Sequence, residues 1–172
     1  MSRVTVFGSS QAISTEPAYR DAVRLGRLLA QAGYTVVSGG YAGLMEAVSR
    51  GAAEAGGKVV GVTVKLWAAR AQPNPWVAEE VVTDHLFERL ALLTQADAYV
   101  ALHGGAGTLG EVALAWNLFQ TESIPLRPLV LVGPEWRRIV RCLEGGLRLG
   151  PDDLRLLRFA ATVDDVLGHL GP

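Results

Sequence analysis

The chain of 172 residues holds one cysteine, two lysines, three histidines and no apolar run approaching the length of a membrane span. Each shortage excludes something. A lone Cys142 cannot form an internal disulfide and has no Cys or His neighbours to make a zinc site, which fits a reducing cytoplasm. Crossing a bilayer takes roughly 20 consecutive apolar residues, so no membrane is expected, and Met1-Ser2-Arg3 leads into a strand rather than a targeting segment. A net charge of −1 leaves no basic stripe, so nucleic acid is not an expected partner. His85 and His169 have no partners at metal-ligand spacing, and neither a metal nor a cofactor is implied. Pyridoxal phosphate needs a Schiff-base lysine; Lys58 and Lys65 flank a strand without the surroundings of such a site.

What is present is apolar and rich in glycine. Hydrophobic residues make up 49% of the chain and glycine supplies 20 positions, which predicts one domain over 1–172 with a substantial core. Val4–Phe7, Tyr34–Val37 and Lys58–Val62 are predicted as strands. Between them, a helix begins at Thr15-Glu16-Pro17 and stops at Gly33, and a second runs from Leu44 to Ala55. That is β-α-β-α-β, one half of a doubly wound sheet. Glu80–Thr83 is a short candidate strand. Asp84 is predicted to cap a helix over Leu86–Gln95, with Leu86, Leu90 and Leu93 on its core face. Asp97–Leu102 reads as the central strand, followed by a helix from Thr108 to about Gln120. The strand Leu129–Val132, a helix near Glu135–Leu143, an irregular stretch and a last helix over Val163–Leu170 complete the chain. The expected fold is a mostly parallel three-layer α/β/α sheet.

Right-handed crossovers place the ends of parallel strands on one edge of the sheet. The loops at Gly8-Ser9-Ser10, Ser38-Gly39-Gly40-Tyr41-Ala42-Gly43 and His103-Gly104-Gly105-Ala106-Gly107 should therefore meet in one nucleotide-sized site. Glycines let backbone approach an anion, and the free N–H groups of the next helix attract it. Glu111 lies one turn inside that helix, where a carboxylate would oppose a phosphate unless it faces a ribose or the chemistry there. A plainer alternative stays open: Thr108 and Glu111 also fit a capping box. Gly105-Ala106-Gly107-Thr108-Leu109-Gly110 spells the dinucleotide fingerprint, but mid-chain and without the acid expected about 20 residues later. The stretch Trp67 to Trp76 reads as a lid, a substrate wall, an interaction loop or a segment that simply packs its tryptophans onto the domain.

His103-Gly104-Gly105-Ala106-Gly107-Thr108-Leu109-Gly110-Glu111 resembles the Pro-Gly-Gly-x-Gly-Thr-x-x-Glu hallmark of the Rossmann-like proteins once labelled lysine decarboxylases. These include the Lonely Guy type cytokinin riboside 5′-monophosphate phosphoribohydrolases. Gly39-Gly40-Tyr41-Ala42-Gly43-Leu44-Met45 and Gly8-Ser9-Ser10 resemble two further motifs of that family, and the likeness covers about residues 4 to 132. The resemblance implies a Rossmann-like fold and hydrolysis of a purine nucleoside 5′-monophosphate, AMP or an N6-modified relative, to free base and ribose 5-phosphate. It implies Glu111 and Arg89 as catalytic residues. The nucleotide would be held by Gly8, Ser9, Ser10, Gly39, Gly40, Gly43, Met45, Gly104, Gly105, Gly107 and Thr108. It also implies a homodimer, for which the apolar residues from Val112 to Phe119 offer a surface. Two positions depart from the family pattern, Leu90 in place of Lys and His103 in place of Pro. Relatives of this fold that carry nucleotides or molybdenum cofactor without catalysis supply the alternative. Without the resemblance, Arg89 reads as an ordinary solvated helix arginine.

Overall fold

A computed structural model describes residues 2–171. Seven strands form one sheet, β1 (Arg3–Phe7), β2 (Thr35–Ser38), β3 (Val59–Val64), β4 (Glu79–Thr83), β5 (Ala98–Ala101), β6 (Leu129–Val132) and β7 (Arg158–Ala160). Their order is β4-β3-β2-β1-β5-β6-β7, and every adjacent pair is parallel. The expected fold class holds, with the sheet wholly rather than mostly parallel. The central strands are buried on both faces, which is why they read as continuous runs of Val, Leu and Ala rather than alternating patterns.

Helices cover both sides. α1 (Pro17–Gln31), α2 (Leu44–Glu54) and the short C-terminal α7 (Val166–Leu170) pack on one face around Val4, Val36, Val100 and Val130. α3 (Leu86–Leu93), α4 (Ala106–Gln120) and α5 (Pro134–Gly146) cover the other, around Tyr99, Leu129, Leu131 and Trp136. α1 and α2 touch backbone to backbone. A methyl group added at Gly51 would stand 1.8 Å from the Val23 carbonyl oxygen, and one at Gly26 would stand 2.0 Å from that of Val48.

Several expectations need correction. The stretch left irregular after Leu143 contains α6 (Pro151–Arg155) and β7; three strand residues are too few to show a period. The last helix opens as a 3-10 turn over Val163–Asp165. α3 is capped by His85, whose Nδ1 accepts from the Glu88 N–H at 3.3 Å, while the Glu88 carboxylate accepts from the Asp84 N–H at 2.8 Å. Asp84 instead pairs with Lys65. Leu86 is exposed and Leu90 half-buried; the residues that α3 buries are Arg89 and Leu93.

β1 feeds α1 on one face and β5 feeds α4 on the other, so the crossovers diverge between these two paired strands. In an open parallel sheet that divergence leaves a crevice beyond the strand ends, the usual place for a ligand.

Candidate active site

The three glycine loops are tied together at that crevice. Ser9 N–H donates to the His103 carbonyl at 3.1 Å, and Leu44 N–H donates to the Ser9 carbonyl at 2.8 Å. Gly43 makes this join possible. Its φ of 73° is a conformation that residues with a Cβ avoid, and a side chain there would meet the Ser9 oxygen at 2.3 Å. The result is a cleft of about 650 Å3.

Gly8, Ser9, Ser10, Met45, Arg89, Gly104, Gly105, Gly107, Thr108 and Glu111 line the cleft, as does His103. Gly39, Gly40 and Gly43 stand behind its wall, buried. Gly39 leaves room for Arg89, since a Cβ there would lie 1.9 Å from Arg89 Nη2. Gln11 also lines the cleft and lay outside every segment expected there, while Tyr41 comes from the second glycine loop and Trp67, Arg70 and Ala71 from the stretch read as a lid or substrate wall. Only the fold brings these positions, drawn from loops after β1, β2 and β3, to one edge.

The helix after the glycine loop starts two residues earlier than predicted, at Ala106 with Gly105 as N-cap, and no side chain caps it. The capping-box reading of Thr108 and Glu111 is thereby overturned. Leu109 N–H makes the first helical bond, to the Gly105 carbonyl at 3.0 Å. The N–H groups of Ala106, Gly107 and Thr108 are left without helical acceptors. Thr108, 4% exposed, presses on Gly104, where a Cβ would lie 2.1 Å from its Oγ1. Gly107 and Gly110 lie within α4, so the apparent dinucleotide fingerprint is not a turn before a helix.

Arg89 is not solvated. Its side chain is 5% exposed and that of Glu111 is 13% exposed, with Arg89 Nη1 3.4 Å from Glu111 Oε1. Arg89 Nε donates to the Val62 carbonyl at 2.8 Å. Its guanidinium also lies 5.9 Å from the Tyr41 ring centre and 5.5 Å from that of Trp67. Burial pushes the Glu111 carboxyl above its ordinary range, and the attraction of Arg89 offsets only part of that shift. Burial likewise pulls the Arg89 guanidinium down, opposed by Glu111. A carboxylate kept this dry acts strongly on any positive charge formed beside it.

Trp67 and Trp76 are half-buried rather than exposed. The loop carrying them is pinned by Asn74, whose side-chain amide donates to the Gly40 and Tyr41 carbonyls, each at 3.0 Å. Tyr41 in turn accepts the Val64 N–H on its hydroxyl at 2.8 Å. Lys58 and Lys65 are held in surface ion pairs with Glu79 and Asp84 and do not line the cleft. Among the described residues no helix is long and apolar enough to cross a membrane.

Sheet order, crossover divergence and cleft together define a Rossmann-like α/β protein. The chain belongs to the SLOG cluster4 family, whose profile matches residues 1–122. It is 35% identical over 117 residues to a cytokinin riboside 5′-monophosphate phosphoribohydrolase of Mycobacterium tuberculosis, covering 66% of this chain and 61% of that one. It is 38% identical over 177 residues to a rice protein, from Oryza sativa subsp. japonica, named as a probable enzyme of that kind, covering 98% and 71% of the two chains. Among solved structures, the molybdenum cofactor carrier protein of Chlamydomonas reinhardtii superposes with a TM-score of 0.72 at 26% identity, over 98% of this chain and 95% of that one.

Proposed function

We propose that this protein hydrolyses the N-glycosidic bond of a purine nucleoside 5′-monophosphate, AMP or an N6-modified AMP, releasing the base and ribose 5-phosphate. The observation that carries the reading is the dry Glu111–Arg89 pair, set one helical turn from three free N–H groups on the same cleft. In this reading the N–H groups at the start of α4, the Thr108 hydroxyl and the Gly8–Ser10 loop hold the phosphate. Gly39, Gly40 and Gly43 shape the wall that positions Arg89 and Met45.

Glycosidic cleavage passes through a sugar with oxocarbenium character. Glu111, ionised, stabilises that charge and accepts a proton from water as the water oxygen bonds to C1′. The C1′–N bond breaks and the base leaves with the bonding electrons, then takes up a proton. Arg89 keeps the carboxylate ionised and oriented. The names of the mycobacterial and rice relatives support this reaction class.

Carriage without turnover is the second reading, favoured by the whole-chain likeness to the Chlamydomonas carrier. Incubation with a panel of nucleoside 5′-monophosphates, followed by chromatography of free base and ribose 5-phosphate, separates the two. Base release is expected; tight binding of AMP with no base released from any member would leave only the carrier.

The working form is proposed to be a cytoplasmic homodimer. Trp116, Trp136, Val140 and Leu143 line an apolar groove between α4 and α5, with Leu109 and Ile139 exposed on its rim. Light scattering should give twice the monomer mass, and a monomer at micromolar concentration would remove the dimer from the proposal.

A further inference from the structure

Arg89 has two of its three guanidinium nitrogens engaged by the protein. Its Nε serves the Val62 carbonyl, its Nη1 faces Glu111, and its Nη2 packs on Gly39. Drawing this guanidinium toward a ligand's base would loosen the pair that holds Glu111. The cleft has a second arginine in a different state. Arg70 lines it from the β3–β4 loop, is exposed, and makes no ion pair among the described residues. Its guanidinium lies 5.9 Å from the Trp67 ring centre.

The position is built rather than incidental. Residues Lys65 to Ala71 form a tight helical turn, with the N–H groups of both Arg70 and Ala71 donating to the Trp67 carbonyl at 2.9 Å. Asn74 fastens the following segment to the Gly40 and Tyr41 carbonyls. Tyr41 and Trp67 stand with ring centres 5.7 Å apart. The contacts run in order from the open start of α4 to Glu111, to Arg89, to the Trp67 ring, and last to Arg70. A nucleotide with its phosphate at the first end and its sugar at Glu111 lays its base toward Trp67 and Arg70. Aromatic faces suit a purine, and a guanidinium donates only, matching the acceptor nitrogens of a purine ring.

We propose that Arg70, braced by Trp67, is the residue that holds the purine base of the bound nucleotide; the inference rests on the nucleotide reading above. Donation to a ring nitrogen would also take up negative charge as the C1′–N bond breaks. Arg70 thus adds specificity for the base, separate from the hold on the phosphate.

Calorimetry with AMP and with ribose 5-phosphate, on the wild-type protein and on Arg70→Gln and Arg70→Lys, tests this. Arg70→Gln is expected to weaken AMP binding about tenfold or more and leave ribose 5-phosphate affinity unchanged, with Arg70→Lys recovering part of the loss. Equal weakening of both ligands would make Arg70 a phosphate contact and overturn the proposal, as would no change in either. Wild-type protein that binds neither ligand would sink the nucleotide reading and this inference with it. Normal wild-type binding beside an indifferent Arg70→Gln would sink this inference alone.

Discussion

Glu111 and Arg89 are both removed from water, yet they meet through one 3.4 Å contact rather than a two-pronged fork. Desolvation therefore outweighs their attraction, and the carboxyl sits above its ordinary value of 4.5. The acid limb of base release should lie above that value, and Arg89→Gln should move it further up, because the guanidinium is what holds the carboxyl down. A pH profile in which Arg89→Gln lowers the limb would contradict the assigned roles. Stability follows the same sign. A carboxyl raised by folding favours the fold while it is protonated, and that advantage is lost as pH rises from 4.5 through the folded value. Glu111→Gln should thus gain on the wild type between pH 4 and pH 7, read from denaturation midpoints at each. At pH 7 the same variant should lose base release while holding AMP within about tenfold, since it keeps the shape and deletes the charge.

Thr108 supplies a second test at this scale. Its hydroxyl has no hydrogen-bond partner among the described residues, so Thr108→Val should cost less than the roughly 1 kcal/mol of a typical hydrogen bond. Nucleotide affinity should nonetheless fall. A loss of stability with affinity intact would return Thr108 to a purely structural part.

Among the elements, the α1–α2 contact is the tightest, because two glycines place carbonyl oxygens where side chains would stand. Gly51→Ala should destabilise by roughly 1–3 kcal/mol, the usual range for overpacking. Gly105→Ala, with open space around it, should cost little by comparison. Urea midpoints for the two variants, compared with the wild type, decide whether the helix pair is as unyielding as its geometry. Six of the seven strands and the three loops were legible in the sequence, chiefly because buried parallel strands leave unbroken apolar runs and glycines punctuate their ends. The start of α4 was not, since a glycine N-cap leaves no side-chain signal and Thr108 happens to precede Glu111 by the capping-box interval. α3 misled in part: of the leucines that suggested the buried stripe only Leu93 is buried, and the other residue drawn inward is Arg89, with Val62 and Glu111 as partners that only the assembled sheet provides. Arg70 carried no motif, and Tyr41 was marked only as a residue between the glycines of the second loop.

For the molecule as a whole, a ligand held by residues from loops after β1, β2, β3 and β5 and from α3 and α4 stabilises all of them together. Saturating AMP at 100 times its dissociation constant should add about 2.7 kcal/mol to unfolding, and a melting temperature that ignores AMP would count against the cleft as its site. The central position of β1 has a different consequence, in the history of the chain rather than its final state. β1 pairs on one side with β2, Val4 opposite Val36, and on the other with β5, Val4 opposite Ala98. The second partner lies far along the chain, and closing that loop delays the contact. During synthesis the first strand emerges early but keeps one open edge until residues near Ala101 have left the ribosome. A nascent chain halted before β5 would expose that edge to other chains.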